Sequence, residues 1–324
     1  MSRILKFLIS VLVYSLLIST QTYGQEYPTK PVTLVVPYPP GGPTDNIARI
    51  IAAELGIRLK QSVIVLNRGG GGATIGSAAV ARAAPDGYTF LLATSDHSTN
   101  PIAYPEIPYK TESAFTPVAL IATSSLVLIV NRDFKVQSIP ELVAFAKANP
   151  GMLNYATTTT GGNTHLAAEL FSQLAKVKMT QVPYQGGAGA MTDLLGGQVQ
   201  LMFSAIGSSL PMINDKKVRP LGITTSKVTA AAPELVPIAR TLPGFDVGAW
   251  YGIVAPSGTP QQIIDRINTE VDSIIRMSSV AQRLVSLGAD PAGGSPTAFK
   301  SFIHEDIRNW DAIAKLANVS SNLK

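Results

Sequence analysis

Val32-Thr33-Leu34-Val35-Val36-Pro37, followed by Tyr38-Pro39-Pro40-Gly41-Gly42-Pro43-Thr44-Asp45, is the stretch on which the fold turns. The first part is a short apolar run, rich in β-branched residues and without period-2 alternation. Such a run reads as a strand buried on both faces. The second part is small, polar and glycine-bearing, the composition of a tight connection. Beyond it, Ile47, Ile50, Ile51 and Leu55 share one face of a helix that starts at Asn46. A buried strand, a glycine loop and a helix in this order form the repeating unit of an α/β protein.

The same unit recurs along the chain. Further strands are expected at Ser62–Asn67, Thr89–Thr94, Pro117–Ala122, Leu126–Asn131, Leu153–Thr157, Met179–Tyr184, Leu201–Ser204, Pro220–Thr224 and Trp250–Ala255. Helical patterns lie between them, as in the shared face of Leu166, Leu170, Phe171 and Leu174. This alternation implies mostly parallel sheets covered by helices. Ten strands suit two α/β domains better than one. The last third turns helical, over Pro260–Met277, Ser279–Leu287 and Pro296–Ala317, and a tail of that kind can pack back on the first domain. The expected organisation is therefore 25–125 as the first part of domain 1, 126–247 as domain 2, and 248–324 as the C-terminal part of domain 1. The chain would cross near Ser124–Ser125 and return near Val247–Gly248.

Composition narrows the function classes. The chain has 324 residues, 46% of them hydrophobic, which excludes a disordered protein. No cysteine is present, so disulfides, thiolate nucleophiles and thiolate zinc sites are excluded. The three histidines, His97, His165 and His304, leave little for a histidine metal site, and no metal or cofactor is expected. Residues 1–24 read as a signal peptide: Arg3 and Lys6 precede an apolar run from Phe7 to Ile18 that is too short to span a membrane. Removing them leaves 24 basic against 21 acidic residues, a net +3. With no basic run, nucleic acid is not an expected partner.

Polar chemistry collects in three glycine loops that open onto helices. In Tyr38–Asp45, Thr44 or Asp45 supplies a helix N-cap, while Gly41 and Gly42 leave backbone N–H groups bare for an anion. An ordinary capped turn fits the same residues. Thr157-Thr158-Thr159-Thr160-Gly161-Gly162-Asn163-Thr164-His165 offers many neutral donors. If the strand persists through the threonines, Thr158 and Thr160 face one way and Thr157 and Thr159 the other. His165 is either a ligand contact or a surface or capping histidine. The third loop is Tyr184-Gln185-Gly186-Gly187-Ala188-Gly189-Ala190. None of the three contains Lys or Arg, so an anion would be held by amides and hydroxyls, without an ion pair. Gly69–Gly72 lacks dinucleotide-loop spacing and reads as a structural turn. Nucleophile-elbow, phosphate-loop and zinc-protease motifs are absent from the sequence. Ser95, Asp96 and His97 are adjacent at a strand end, but triads assemble through the fold and not through adjacency. Ser95 and His97 are read as site-lining or structural residues.

Across these segments the sequence resembles a known family. The stretches Tyr27–Pro31, Val35–Asp45, Ala84-Pro85-Asp86-Gly87-Tyr88-Thr89, Val182–Gly186, Thr192–Val199 and Ala255-Pro256-Ser257-Gly258-Thr259-Pro260 are similar, in order, to the periplasmic solute-binding proteins of tripartite tricarboxylate transporters, the TctC or Bug family. The resemblance implies a two-domain, type II-like periplasmic binding fold with a ligand cleft between the domains and two crossing hinge segments. It implies capture of a small carboxylate, aliphatic or aromatic and expected to be a dicarboxylate, by domain closure. A monomer would deliver this ligand to the membrane components of the transporter. One carboxylate would be gripped by Tyr38, Pro40, Gly41, Gly42, Thr44 and Asp45. The opposite end would lie on Thr158, Thr160, Gly161, Asn163, His165, Tyr184, Gln185 and Gly186, with Ser95, His97 and Ser204 completing the site.

One departure matters. The family often has Asp after the strand written here Leu201-Met202-Phe203, where this chain has Ser204-Ala205. An acid there can face the ammonium of an amino-acid ligand, so its loss argues for a neutral-bodied mono- or dicarboxylate. The competing readings are a periplasmic hydrolase built on Ser95 and His97, or a ligand-binding sensor partner using the same cleft.

Overall fold

The computed structural model describes residues 27–184 and 186–319. Residues 1–24, expected as a signal peptide, and Gln185 lie outside the described residues. Ten strands are described: β1 (Val32–Val36), β2 (Val63–Asn67), β3 (Thr89–Thr94), β4 (Phe115–Asn131), β5 (Asn154–Thr157), β6 (Thr180–Pro183), β7 (Leu201–Ala205), β8 (Val218–Ile223), β9 (Gly248–Pro256) and β10 (Asp290–Pro291). Between them run α1 (Pro43–Leu59), α2 (Thr74–Ala81), α3 (Asp96–Ala103), α4 (Thr111–Ala114), α5 (Ile139–Ala148), α6 (Asn163–Ala175), α7 (Gly187–Leu195), α8 (Ile206–Asn214), α9 (Gln261–Ile275), α10 (Ser278–Ser286) and α11 (Pro296–Leu316).

The strands form two sheets with the same plan. One runs β2-β1-β3-β9-β4, with β10 beyond β4. The other runs β6-β5-β7-β4-β8. In each, the fourth strand is antiparallel to both neighbours and the other four run one way. The expected parallel direction therefore holds except at β9 and the short β10 in the first sheet and at β4 in the second.

The strand that links the two sheets differs from expectation. Pro117–Ala122 and Leu126–Asn131 are one continuous 17-residue strand, β4. Thr123-Ser124-Ser125 suggests a break by composition, yet these residues stay paired to Trp250, Ala249 and Gly248 of β9. From Leu126 onward the partners are β7 and β8. The chain thus passes from the first sheet to the second at Ser125–Leu126 and returns at Val247–Gly248. The two-residue β10 was not anticipated, since Asp290-Pro291 has no strand propensity.

Both faces of each sheet are covered, which is why the strands lack alternation. Leu34 and Val36 pack with Ile47, Ile51 and Leu55 of α1 and with Ile264 and Ile267 of α9, while Val35 points to the other face with Leu91, Val80 and Phe299. In the second sheet Leu128 and Val130 meet Leu166 and Phe171 of α6, and Val127 and Ile129 meet Ala190 and Leu194 of α7. The C-terminal helix α11 joins both cores: Phe299 and Ile303 belong to the first sheet's, Trp310 and Ala314 to the second's. No helix among the described residues is long and apolar enough to cross a membrane.

Candidate functional site

A cleft of about 1230 Å³ opens at the carboxyl ends of the parallel strands. This is where open α/β sheets place ligands, because helix N-termini converge there. Six helices begin at its wall: α1, α2, α3, α6, α7 and α8. None has a side-chain N-cap. Away from the cleft, α5 and α11 are capped by Ser138 and Ser295, while α4, α9 and α10 also lack a side-chain cap. At the cleft wall, uncapped first turns keep their N–H groups free for an outside acceptor.

Glycine makes this possible in the three loops. The N-caps of α1, α6 and α7 are Gly42, Gly162 and Gly186. Thr44 and Asp45 were expected as caps, but Pro43 occupies the first helical turn and moves the cap back to Gly42. Gly186 has φ +100, a conformation that a side chain would strain.

The predicted residues divide into two groups. Tyr38, Thr44, Ser95, Thr158, Thr160, Asn163, Tyr184, Gly186 and Ser204 line the cleft. Two of them meet across it, where Asn163 Nδ2 donates to Ser95 Oγ at 3.0 Å. Pro40, Gly41, Gly42, Asp45, His97, Gly161 and His165 are not brought to the lining. Asp45 is buried below the first loop, accepting from Gly41 N (3.0 Å), Arg49 Nε (2.9 Å) and Asn67 Nδ2 (2.9 Å). Burial works against its charge, but the Arg49, Gly41 and Asn67 hydrogen bonds hold its carboxyl below the usual range. It shapes the loop from beneath.

The two histidines are internal. His97 turns into an aromatic shell, its ring edge-on to Phe115 (4.9 Å) and Trp250 (6.3 Å), and burial lowers its pKa to about 4. Its Nδ1 has no hydrogen-bond partner among the described residues. The Ser95 hydroxyl engages Asn163 instead, so this geometry builds no Ser95–His97 pair. His165 Nδ1 accepts from Gly161 N at 3.0 Å, which fixes the turn of the second loop, and burial lowers its pKa to about 4. His165 therefore stays off the lining and braces the loop ahead of α6, whose N-cap Gly162 has no side-chain partner.

The threonine run also behaves differently from simple alternation. β5 ends at Thr157, so the pleat does not extend into the loop. Thr158, Thr159 and Thr160 all line the cleft, and Thr157 is fully buried with Gln181 Nε2 donating to its hydroxyl at 2.9 Å. Sequence reasoning missed the wall made by Gly70, Gly71, Gly72 and Ala73, and the contributions of Trp250 and Tyr251 from β9. The first carried the same strand–glycine–helix signature as the other loops. The second reaches the cleft only because β9 returns between β3 and β4.

Electrostatically the cleft is nearly neutral. No Lys, Arg or His is among its described lining residues, and Asp96 is its one carboxyl. Tyr38 OH donates to Asp96 Oδ2 at 2.5 Å and lies 2.7 Å from Thr94 Oγ1. Burial raises the Asp96 pKa, and burial together with the Asp96 charge raises that of Tyr38. On the opposite wall Tyr184 donates to Asp193 Oδ2 at 2.7 Å.

Comparison with known proteins agrees with this architecture. The family model described as tripartite tricarboxylate transporter family receptor matches residues 47–319. The chain is 37% identical over 298 residues to a Pseudomonas sp. protein of the tcbD-tcbE intergenic region, covering 91% of this chain and 89% of that one. Among solved structures, an R. palustris protein with adipate is similar at a TM-score of 0.84 and 36% identity, over 90% of this chain and 99% of that one. MatC from Rhodopseudomonas palustris with bound malate is similar at a TM-score of 0.78 and 34% identity, over 89% and 99%.

Proposed function

The chain belongs to the tripartite tricarboxylate transporter receptor family, and from that premise we propose that it is a periplasmic solute-binding protein for a small dicarboxylate. It is exported after loss of residues 1–24, works as a monomer without turning its ligand over, and hands the ligand to the membrane components of a transporter. One observation carries the reading: six uncapped helix N-termini converge on a cleft without a lysine or arginine in its described lining. Partial positive charge and free N–H groups suit carboxylates.

The two grips sit on different sheets, Tyr38 and Thr44 on one side and Thr158–Asn163 with Tyr184 and Gly186 on the other. A ligand touching both favours the closed arrangement of residues 25–125 with 248–324 against residues 126–247, with the C-terminal half of α11 packed on the second sheet's core as the contact that closure must accommodate. Ser124–Ser125 and Val247–Gly248 are the hinge segments in this reading.

A thermal-shift screen of aliphatic and aromatic mono-, di- and tricarboxylates tests it. The true ligand at a hundredfold excess over Kd is expected to add about 2.7 kcal/mol of stability, with no product formed. Affinity is expected to change little with ionic strength, since neutral donors lack a full charge to screen. Stabilisation by no carboxylate, or chemical conversion of the one that binds, would sink the proposal.

The hydroxyl contacts have their own test. Thr44→Val, Thr158→Val and Thr160→Val are each expected to weaken binding by about 1–3 kcal/mol, roughly ten- to a hundredfold. Thr157→Val serves as the control, because its side chain is fully buried and off the lining; Gln181 Nε2 donates to both the Thr157 and Thr160 hydroxyls, but only Thr160 faces the cleft. Calorimetry reads the panel. Unchanged affinity in all three, with the fold intact, would assign the grip to backbone amides and water.

A further inference from the structure

Asp96 is out of place in a cleft built for anions. It opens α3 at the end of β3 and is partly exposed to the cleft. The hydrogen bonds around it have a fixed direction. Tyr38 has one hydroxyl proton, which goes to Asp96 Oδ2, so the Thr94 hydroxyl must donate to the Tyr38 oxygen. The chain Thr94 to Tyr38 to Asp96 therefore ends on an acceptor. Tyr38 is the one protein donor to this carboxyl among the described residues, and no Lys, Arg or His of the described lining offsets its charge.

Its place lies between the two grips. Ser95, the preceding residue, touches Asn163 of the other side, and Tyr38 belongs to the first loop. A ligand spanning Thr44 and the Thr158–Asn163 loop shares the cleft with this carboxyl. An unsubstituted dicarboxylate presents only C–H groups along its body. It would bring two negative charges beside a third and leave the carboxyl's lone pairs unmatched once water is expelled. A hydroxyl or ammonium on the ligand's carbon chain removes that cost. Ser204 shows no acid on the second sheet's side; the acceptor is supplied from the first sheet instead.

Resting on the reading that this cleft holds a carboxylate, we propose that Asp96 is a specificity-determining residue that selects carboxylates bearing a hydrogen-bond donor, hydroxyl or ammonium, on their carbon chain over unsubstituted ones. This revises the neutral-bodied ligand expected from Ser204.

Calorimetry at pH 7.5 with matched triads tests it: succinate, malate and aspartate; glutarate, 2-hydroxyglutarate and glutamate; adipate, 2-hydroxyadipate and 2-aminoadipate. In the chain length that binds best, a donor-bearing member is expected to bind at least about tenfold tighter than the unsubstituted acid. Asp96→Asn keeps an acceptor for Tyr38 and removes the charge. It is expected to weaken the preferred ligand and strengthen the unsubstituted acid, an opposite-signed pair of changes that general damage to the fold does not produce. An ammonium ligand would lose about a hundredfold in the variant, whereas a hydroxyl ligand would lose about tenfold. Unsubstituted acids binding as well as or better than their partners would overturn the proposal while leaving carboxylate binding intact. So would equal weakening of both ligands in Asp96→Asn. No binding by any triad member would overturn this proposal, while the carboxylate reading itself stands or falls on the wider thermal-shift screen. The wild-type ratios decide even if the variant does not fold.

Discussion

Replacing Trp250 with alanine is expected to cost about 3–5 kcal/mol of stability, the range for deleting a fully buried large aromatic. Trp250 is 1% exposed and sits on the returning strand β9, opposite Thr123 of β4. Its ring packs edge-on against Phe299 (5.5 Å) and Phe302 (6.2 Å) of α11 and against His97 (6.3 Å). Its Nε1 donates to Asp306 Oδ2 at 2.8 Å. Alanine would therefore open a cavity and remove the indole donor from a carboxyl whose pKa burial already raises. Trp250→Phe separates the two losses. It keeps most of the ring volume and removes only the donor, so it is expected to cost about 1–3 kcal/mol. Urea denaturation of both variants measures the difference. A cost below about 1 kcal/mol for alanine would mean that the junction of β9 and α11 relaxes around the gap, and that this helix is not anchored there.

The strands were legible because burial on both faces leaves a mark that local sequence carries. Leu34 and Val35 are both apolar since each side of the sheet has its own helices. The cleft loops were legible for a related reason: Gly42, Gly162 and Gly186 stand where a side-chain cap would ordinarily be. What stayed hidden was decided at long range. Thr123–Ser125 continues a strand only because β9 lies alongside. His97 and His165 look like site residues in sequence, and it is the aromatic shell and the Gly161 amide that turn them inward. Asp96 was visible as a neighbour of Ser95, but its acceptor role depends on Tyr38, 58 residues earlier. Pro43 alone among the corrections was a local matter, since proline in the first turn forces the cap back by one or more residues.

Acidification is expected to destabilise the protein between about pH 6.5 and pH 4. His97 and His165 are each lowered from 6.5 to about 4 by burial. Within that window the unfolded chain takes up protons that the folded chain refuses. Stability therefore rises with pH, is complete above about 6.5, and is lost progressively as pH falls to about 4. Each histidine accounts for a slope of about 1.4 kcal/mol per pH unit at most, and for up to about 3 kcal/mol in total. The cause is concrete in His165: its Nδ1 must stay unprotonated to accept from Gly161 N, and its Nε2 lies 3.8 Å from Glu169 Oε1, beyond hydrogen-bond reach. Protonation would release Gly161 and with it the loop from Thr158, so ligand affinity is expected to fall in the same window. Asp96 and Asp306 act with the opposite sign, because burial raises both and the folded state then binds more protons above 3.8. The histidine contribution is read by difference. His165→Gln can still accept from Gly161 and does not titrate, and His97→Leu fills the aromatic shell without a proton to take up. Each is expected to flatten the stability-versus-pH profile by up to one proton in urea titrations between pH 7.5 and 4.5. Equal slopes in the wild type and both variants would show that other groups set the acid limit, and that the Gly161 bond survives protonation of the ring.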